Sequence, residues 1–237
     1  MEAERRNMFL FDIARSLRNQ RLATIRTERP SGLAEGSVVV LHAIPVRRDP
    51  HAINLDIHRV NRDDVRPLRG GCQHRYDFEG LFAVVPGAKD TSAGYALLFR
   101  NGILEATDTS LLRAKTCFPG GPPCIPSTAL EAAVINAARR FVQLQRRLSI
   151  APQIALGLSL LGVKGMYVGV SDRYAGMDGH TIVHDDLIFP EVYLRQLEDD
   201  PMDALRPTFD QLWNAGGMPA CADYDDQALQ DAIRTSA

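Results

Sequence analysis

No stretch of this chain is apolar for long enough to cross a bilayer. A spanning helix needs about 20 predominantly apolar residues. The longest apolar run, Ile154 to Val163, falls short of that and contains Gly157 and Ser159. The N-terminus lacks the pattern of a signal peptide, because Arg15, Arg18 and Arg21 fall where its apolar segment would lie. The cytoplasm is therefore the expected compartment, with no membrane partner. Cysteine is scarce. Cys72, Cys117, Cys124 and Cys221 include no C-x-x-C pair, which argues against a structural zinc and for buried or incidental thiols in a reducing compartment. P-loop, dinucleotide fingerprint, H-E-x-x-H and nucleophile elbow are all absent, and Gly157-x-Ser159-x-x-Gly162 has the wrong spacing for an elbow. The sequence thus offers no catalytic residue, no cofactor and no metal.

What is present is an ordinary globular composition. Of 237 residues, 45% are hydrophobic and 24% charged, enough to build one sizeable domain. The net charge of −2 hides an asymmetry. Residues 172–237 hold fourteen acidic side chains against four basic ones, so the front of the chain is basic.

The element order reads helix, strands, helix, strands, helix. Residues 3–26 form an N-terminal basic helix, with Phe9 or Leu10, Ile13, Leu17, Leu22 and Ile25 at near-helical spacing. Arg15, Arg18 and Arg21 recur on another side, as a solvated face or a phosphate-tracking one. Val38 to Ile44 is an all-apolar strand, expected to be covered on both faces. Residues 46–75 are irregular and carry Arg47, Arg48, Arg59, Arg62, Arg66, Arg69 and Arg75. Phe78 to Val85 is a strand. Tyr95–Phe99 and Ile103–Thr107 flank an Asn101-Gly102 signal, which predicts a two-residue type I′ hairpin turn. Thr128 and Glu131 predict a capping box opening an amphipathic central helix, whose stripe runs through Leu130, Val134, Ala137, Phe141 and Leu144. Ile154–Leu161 and Met166–Val170 read as a second hairpin. Asp200-Pro201 starts a terminal helix carrying Leu205, Phe209, Leu212 and Trp213, which Pro207 is expected to kink or restart. The last fifteen residues read as a frayed polar tail. The fold class is α+β: a mostly antiparallel sheet with the central and terminal helices packed against it, divided as a connecting helix over 1–30 and a single domain over 31–237.

His180, His184, Asp185 and Asp186 are the densest metal-capable group. The β-branched spacer between the histidines favours a strand, in which they would stand about 13 Å apart, too far for one ion. Asp172, Asp178, His184 and Asp185 are the residues on which a hydrolase reading would rest.

Several segments taken together carry a resemblance. They are Val39-Val40-Leu41-His42-Ala43-Ile44-Pro45, the run Tyr95 to Glu105, Ile125-Pro126-Ser127, Leu158 to Gly165, and Leu205-Arg206-Pro207-Thr208-Phe209-Asp210-Gln211-Leu212-Trp213 on to Ala215. In this order, from about Asp12 to Tyr224, they resemble the C-terminal region of bacterial proteins whose N-terminal half is a Schlafen AlbA-type domain, usually described as ATP-binding or DNA-binding. The first helix resembles the arginine-rich helix joining the two halves. No catalytic residue is assigned to this region, so none carries over, and no segment here resembles the AlbA-type half. The resemblance implies a partner: the upstream domain, met through the first helix.

The resulting expectation is a non-catalytic accessory or interaction domain of a bacterial Schlafen-type regulatory or defence system. Its partner or its own second copy would be bound through Phe9 and Phe11. Met8, Phe9, Leu10 and Phe11 are consecutive and point nearly all round the helix axis, so one body cannot cover them all. The alternatives are a nucleic-acid-binding module using Arg15, Arg18 and Arg21 within the arginine-rich front, and the hydrolase named above.

Overall fold

A computed structural model describes residues 2–46, 53–112, 115–116, 121–150, 153–169, 179–196, 198–221, 224–225 and 227–235. The side chains of residues 2–8, and so that of Met8, lie outside this description, as do Arg47, Arg48, Asp172 and Asp178.

The N-terminal helix α1 spans Glu2–Glu28. The strands follow as β1 (Val38–Pro45), β2 (Gln73–Tyr76), β3 (Gly80–Pro86), β4 (Ser92–Phe99), β5 (Leu104–Asp108), β6 (Lys115–Thr116) and β7 (Pro123–Pro126). Then come α2 (Ser127–Arg147), β8 (Ile154–Leu161), β9 (Tyr167–Gly169), β10 (Asp186–Ile188), β11 (Val192–Leu194), α3 (Pro201–Ala215) and α4 (Gln227–Thr235). The main sheet runs β10-β8-β1-β5-β4-β3-β2, with β11 also on β8, and every neighbouring pair is antiparallel. A small second sheet holds β6, β7 and β9. The α+β class expected from the sequence is what the chain adopts.

Both sheet faces are covered, and this explains the unbroken apolar character of β1. Side chains alternate across a strand. Val39, Leu41 and Ala43 enter the larger core with Leu130, Val134 and Phe141 of α2 and Phe209 and Trp213 of α3. Val38, Val40 and Ile44 enter a second core with Ala14, Leu22 and Ile25 of α1. Each such large aliphatic side chain contributes about 1.5–3 kcal/mol on burial. From Ala14 onward α1 is therefore part of the domain's core and not a detached connector.

Several local expectations are corrected. The β4–β5 hairpin exists, but its loop has three residues, Arg100-Asn101-Gly102. Gly102 N–H bonds Phe99 O at 2.9 Å, Phe99 N–H bonds Ile103 O at 2.9 Å, and only Gly102 has positive φ (84°). That is a type I turn followed by a left-handed glycine, not a type I′ turn. The second hairpin does not form. β9 pairs in parallel with β7, and the edge of β8 is taken by β10 and β11. No capping box forms at Thr128, because α2 starts at Ser127 with Pro126 at its cap, two residues before the expected one. Glu131 is instead buried, accepting from Trp213 Nε1 at 3.0 Å.

α3 has the expected Asp200 cap, which accepts from Met202 N at 3.0 Å. It runs unbroken through Pro207, held by the buried stripe Leu205, Phe209, Leu212 and Trp213. The supposedly frayed tail is α4, whose Leu229 and Ile233 are buried and whose Ile233 carbonyl accepts from Asn136 Nδ2 of α2 at 2.8 Å. Cys124, expected as a thiol, is disulfide-bonded, whereas Cys72 is a free thiol.

Candidate functional site

Arg18 and Arg21 of α1 reach into the sheet. Arg18 is 1% exposed. Its guanidinium donates to Phe189 O (2.6 Å), Glu191 Oε1 (3.0 Å), Ser159 Oγ (2.7 Å) and the carbonyl of Leu158. It fits because residue 157 is glycine: a Cβ there would stand 2.8 Å from Arg18 Nε. One turn on, Arg21 grips Glu105 of β5 and also reaches Glu79 at 3.2 Å, with its guanidinium over the Phe99 ring. Arg15 is half-exposed and pairs with Glu191 at 3.1 Å.

Glu105 is 0% exposed and is the centre of this layer. It accepts from Tyr95 OH at 2.7 Å and meets His42 Nε2 at 2.9 Å. Burial alone would raise its pKa, but the hydrogen bonds from His42 and Arg21 overcome this and hold it at about 2. Burial also opposes the charge of Arg21, yet Glu105 outweighs it and raises that pKa. His42 is pushed the other way, below its usual value, by burial first and by Arg18 and Arg21 after it. An ionised carboxylate only accepts, so His42 carries its proton on Nε2, and Nδ1 is a buried acceptor without a partner.

Arg18 is closed to solvent and Arg21 is nearly so, both already bound to carboxylates. They cannot track phosphates, and this corrects the outward basic face for Arg18 and Arg21; Arg15 alone of the three remains half-exposed. The spacing was legible in the sequence, but Glu105 and Glu191 lie far away along it, and nothing local marks them as partners.

Phe9 and Phe11 are placed differently. Phe9 is 57% exposed. Phe11 is half-buried, its ring tilted against Tyr193 of β11 at 3.9 Å between centroids. Phe11 and Tyr193, with Gln153, Val192, Leu194, Arg195 and Ala204, line a groove of about 650 Å³ where α1, the β11 edge and α3 meet.

His180 and His184 are exposed and lie outside any helix. His180 Nδ1 bonds the neighbouring Thr181 carbonyl at 3.0 Å, and Asp185 pairs with Lys164 at 3.4 Å. Among the described residues no three His, Cys, Asp or Glu side chains converge as a metal site would require. Cys72 and His74 approach to 3.9 Å, a pairing the sequence reading missed. It is not a nucleophile–base dyad. His74 Nε2 also meets Val65 O at 3.0 Å, and since a carbonyl only accepts, that nitrogen carries hydrogen and has no lone pair for the thiol. Burial further raises the Cys72 pKa, against the nearby positive charge of Arg66.

The chain matches no family model, no curated protein and no solved structure.

Proposed function

We propose that this chain is a non-catalytic interaction domain that docks a protein partner on the first turns of α1 and the groove beside them. One observation carries the reading. Phe9 stands in solvent, while Phe11, two residues on and about 200° round the same helix, forms with Tyr193 the wall of a 650 Å³ groove. Two aromatic side chains on different sides of one helix end, one in solvent and one walling a groove, offer a partner the residue type that anchors interface hot spots. Burying such a ring is worth roughly 1.5–3 kcal/mol, enough to drive association when two contribute. The resemblance to the C-terminal region of Schlafen AlbA-type proteins supplies the partner: a domain of that type, in a bacterial regulatory or defence system.

The test is a Phe9→Asp/Phe11→Asp double variant, assayed for solution mass and for capture of a co-encoded AlbA-type protein. Loss of the capture with the fold retained supports the reading. Unchanged mass together with unchanged capture overturns it.

A further inference from the structure

Arg15, Arg18, Arg21 and Arg26 of α1 are each answered by a carboxylate, but a second group of arginines is not. Arg62, Arg66 and Arg69 lie exposed on the segment that wraps the β2 end of the sheet. None has a carboxylate within ion-pair distance among the described residues. Asp56 and Asp64 on the same segment are taken up by Arg59 (3.2 Å) and Arg147 (2.6 Å), and Asp63, exposed beside Arg66, offers that arginine its main-chain carbonyl and no ion pair. Arg140 of α2 reaches the segment and donates from Nη2 to Pro67 O at 3.0 Å. Its Nε is enclosed without a partner, and Nη1 has none among the described residues. Burial first, and then the positive charge of Arg66, hold Arg140 below its ordinary pKa, with no acid offsetting either. Two neighbouring guanidinium groups without a counter-charge form an anion site by elementary electrostatics.

The same face carries aromatic rings. His74 and Tyr76 of β2 pair with Ala83 and Leu81, both in the α2-side core, so Tyr76 stands on the sheet face that α2 covers. Tyr76 is 50% exposed, with its ring held against His58 at 4.9 Å between centroids. Phe78, 91% exposed, lies past the end of β2 beside the β4–β5 hairpin and is not part of this face. β2 is also the free edge of the sheet. Unpaired arginines beside exposed rings match the general recipe for single strands: cations track the phosphodiester backbone while bases stack on aromatic faces.

We infer that the face formed by Arg62, Arg66, Arg69, Arg140 and Tyr76 binds single-stranded nucleic acid without sequence preference. Duplex has its bases stacked inside and gains nothing from Tyr76, so the ring selects for the single strand.

The experiment is fluorescence anisotropy of a labelled oligothymidylate against the full chain over a salt series, with a duplex of equal length as comparator. Affinity should fall with salt, and the single strand should bind tighter than the duplex. Arg62→Gln/Arg66→Gln, both exposed and so compatible with folding, should lower the slope of log K against log salt by about 1.4, two phosphates at roughly 0.7 each. Tyr76→Ala should weaken binding roughly 5- to 150-fold. The Phe9→Asp/Phe11→Asp variant should bind like the parent, which separates this site from the protein-docking groove. No binding at low salt, tighter binding of duplex, or unchanged affinity in both the arginine and the Tyr76 variants would overturn the inference.

Discussion

Arg21 and Glu105 meet side-on in a double hydrogen bond, Nε to Oε2 and Nη2 to Oε1, both at 3.0 Å, on a carboxylate that solvent does not reach. This joins α1 to the middle of the sheet, with Tyr95 and His42 filling the remaining acceptor positions of the same carboxylate. A buried pair of this kind adds little stability beyond what a packed apolar pair would give, but it strongly penalises the loss of one partner. It therefore fixes where α1 sits.

Replacing the carboxylate alone tests that. Glu105→Gln leaves Arg21 largely buried without its main counter-charge and should cost about 3–5 kcal/mol in denaturant unfolding. Arg21→Met/Glu105→Gln should cost clearly less than the sum of the two single changes, because no charge is stranded. Strict additivity would show that the pair is not coupled.

Stability should fall in acid in two stages. The folded pKa of His42 lies below its unfolded value of about 6.5. Its contribution is therefore complete above that pH and declines as pH drops toward the folded pKa. Glu105 titrates near 4.5 when unfolded and at about 2 when folded, so its contribution is lost between those values on further acidification. His42→Gln should remove the upper stage and shrink the lower, because His42 is one of the groups that depress the Glu105 pKa, leaving the part due to Arg21. Unfolding free energies measured from pH 7 to pH 3 check this, and a His42→Gln curve parallel to the parent's throughout would refute it.

Gly157→Ala should destabilise by about 1–3 kcal/mol although it adds a single methyl group. The new Cβ would lie 2.8 Å from Arg18 Nε and 2.9 Å from Cδ. The guanidinium must then leave at least part of its set of four acceptors, which exposes a buried polar deficit. Thermal denaturation measures the loss, and a melting temperature equal to the parent's would show that Arg18 has room to move.

Trp213 is the only tryptophan and is fully buried, so native fluorescence should be blue-shifted and should move to the red on unfolding. Trp213→Phe keeps one aromatic ring but removes the rest of the buried indole with the N–H that reaches Glu131 at 3.0 Å, so a packing loss adds to the roughly 1–3 kcal/mol of the stranded acceptor. An unfolding midpoint unchanged from the parent's would assign that hydrogen bond no net role.

By itself the sequence determined the elements whose signal is local. The apolar run of β1, the hydrophobic stripe of α2, the Asp200-Pro201 start of α3 and the existence of the β4–β5 hairpin follow from periodicity and turn chemistry within a few residues. The exposure of Phe9 was legible in the same way, because four consecutive large apolar side chains on a helix cannot share one face. Tertiary structure alone decided what depends on distant partners. β9 left β8 for β7 because β10 and β11 took that edge. α4 formed from a polar-looking tail because α2 offered Leu229 and Ile233 a surface. Above all, the side of α1 that reads as basic and solvated faces inward. An arginine is buried only where carboxylates and carbonyls await it, and those of Arg18 and Arg21 come from strands and loops 58 to 173 residues further along the chain.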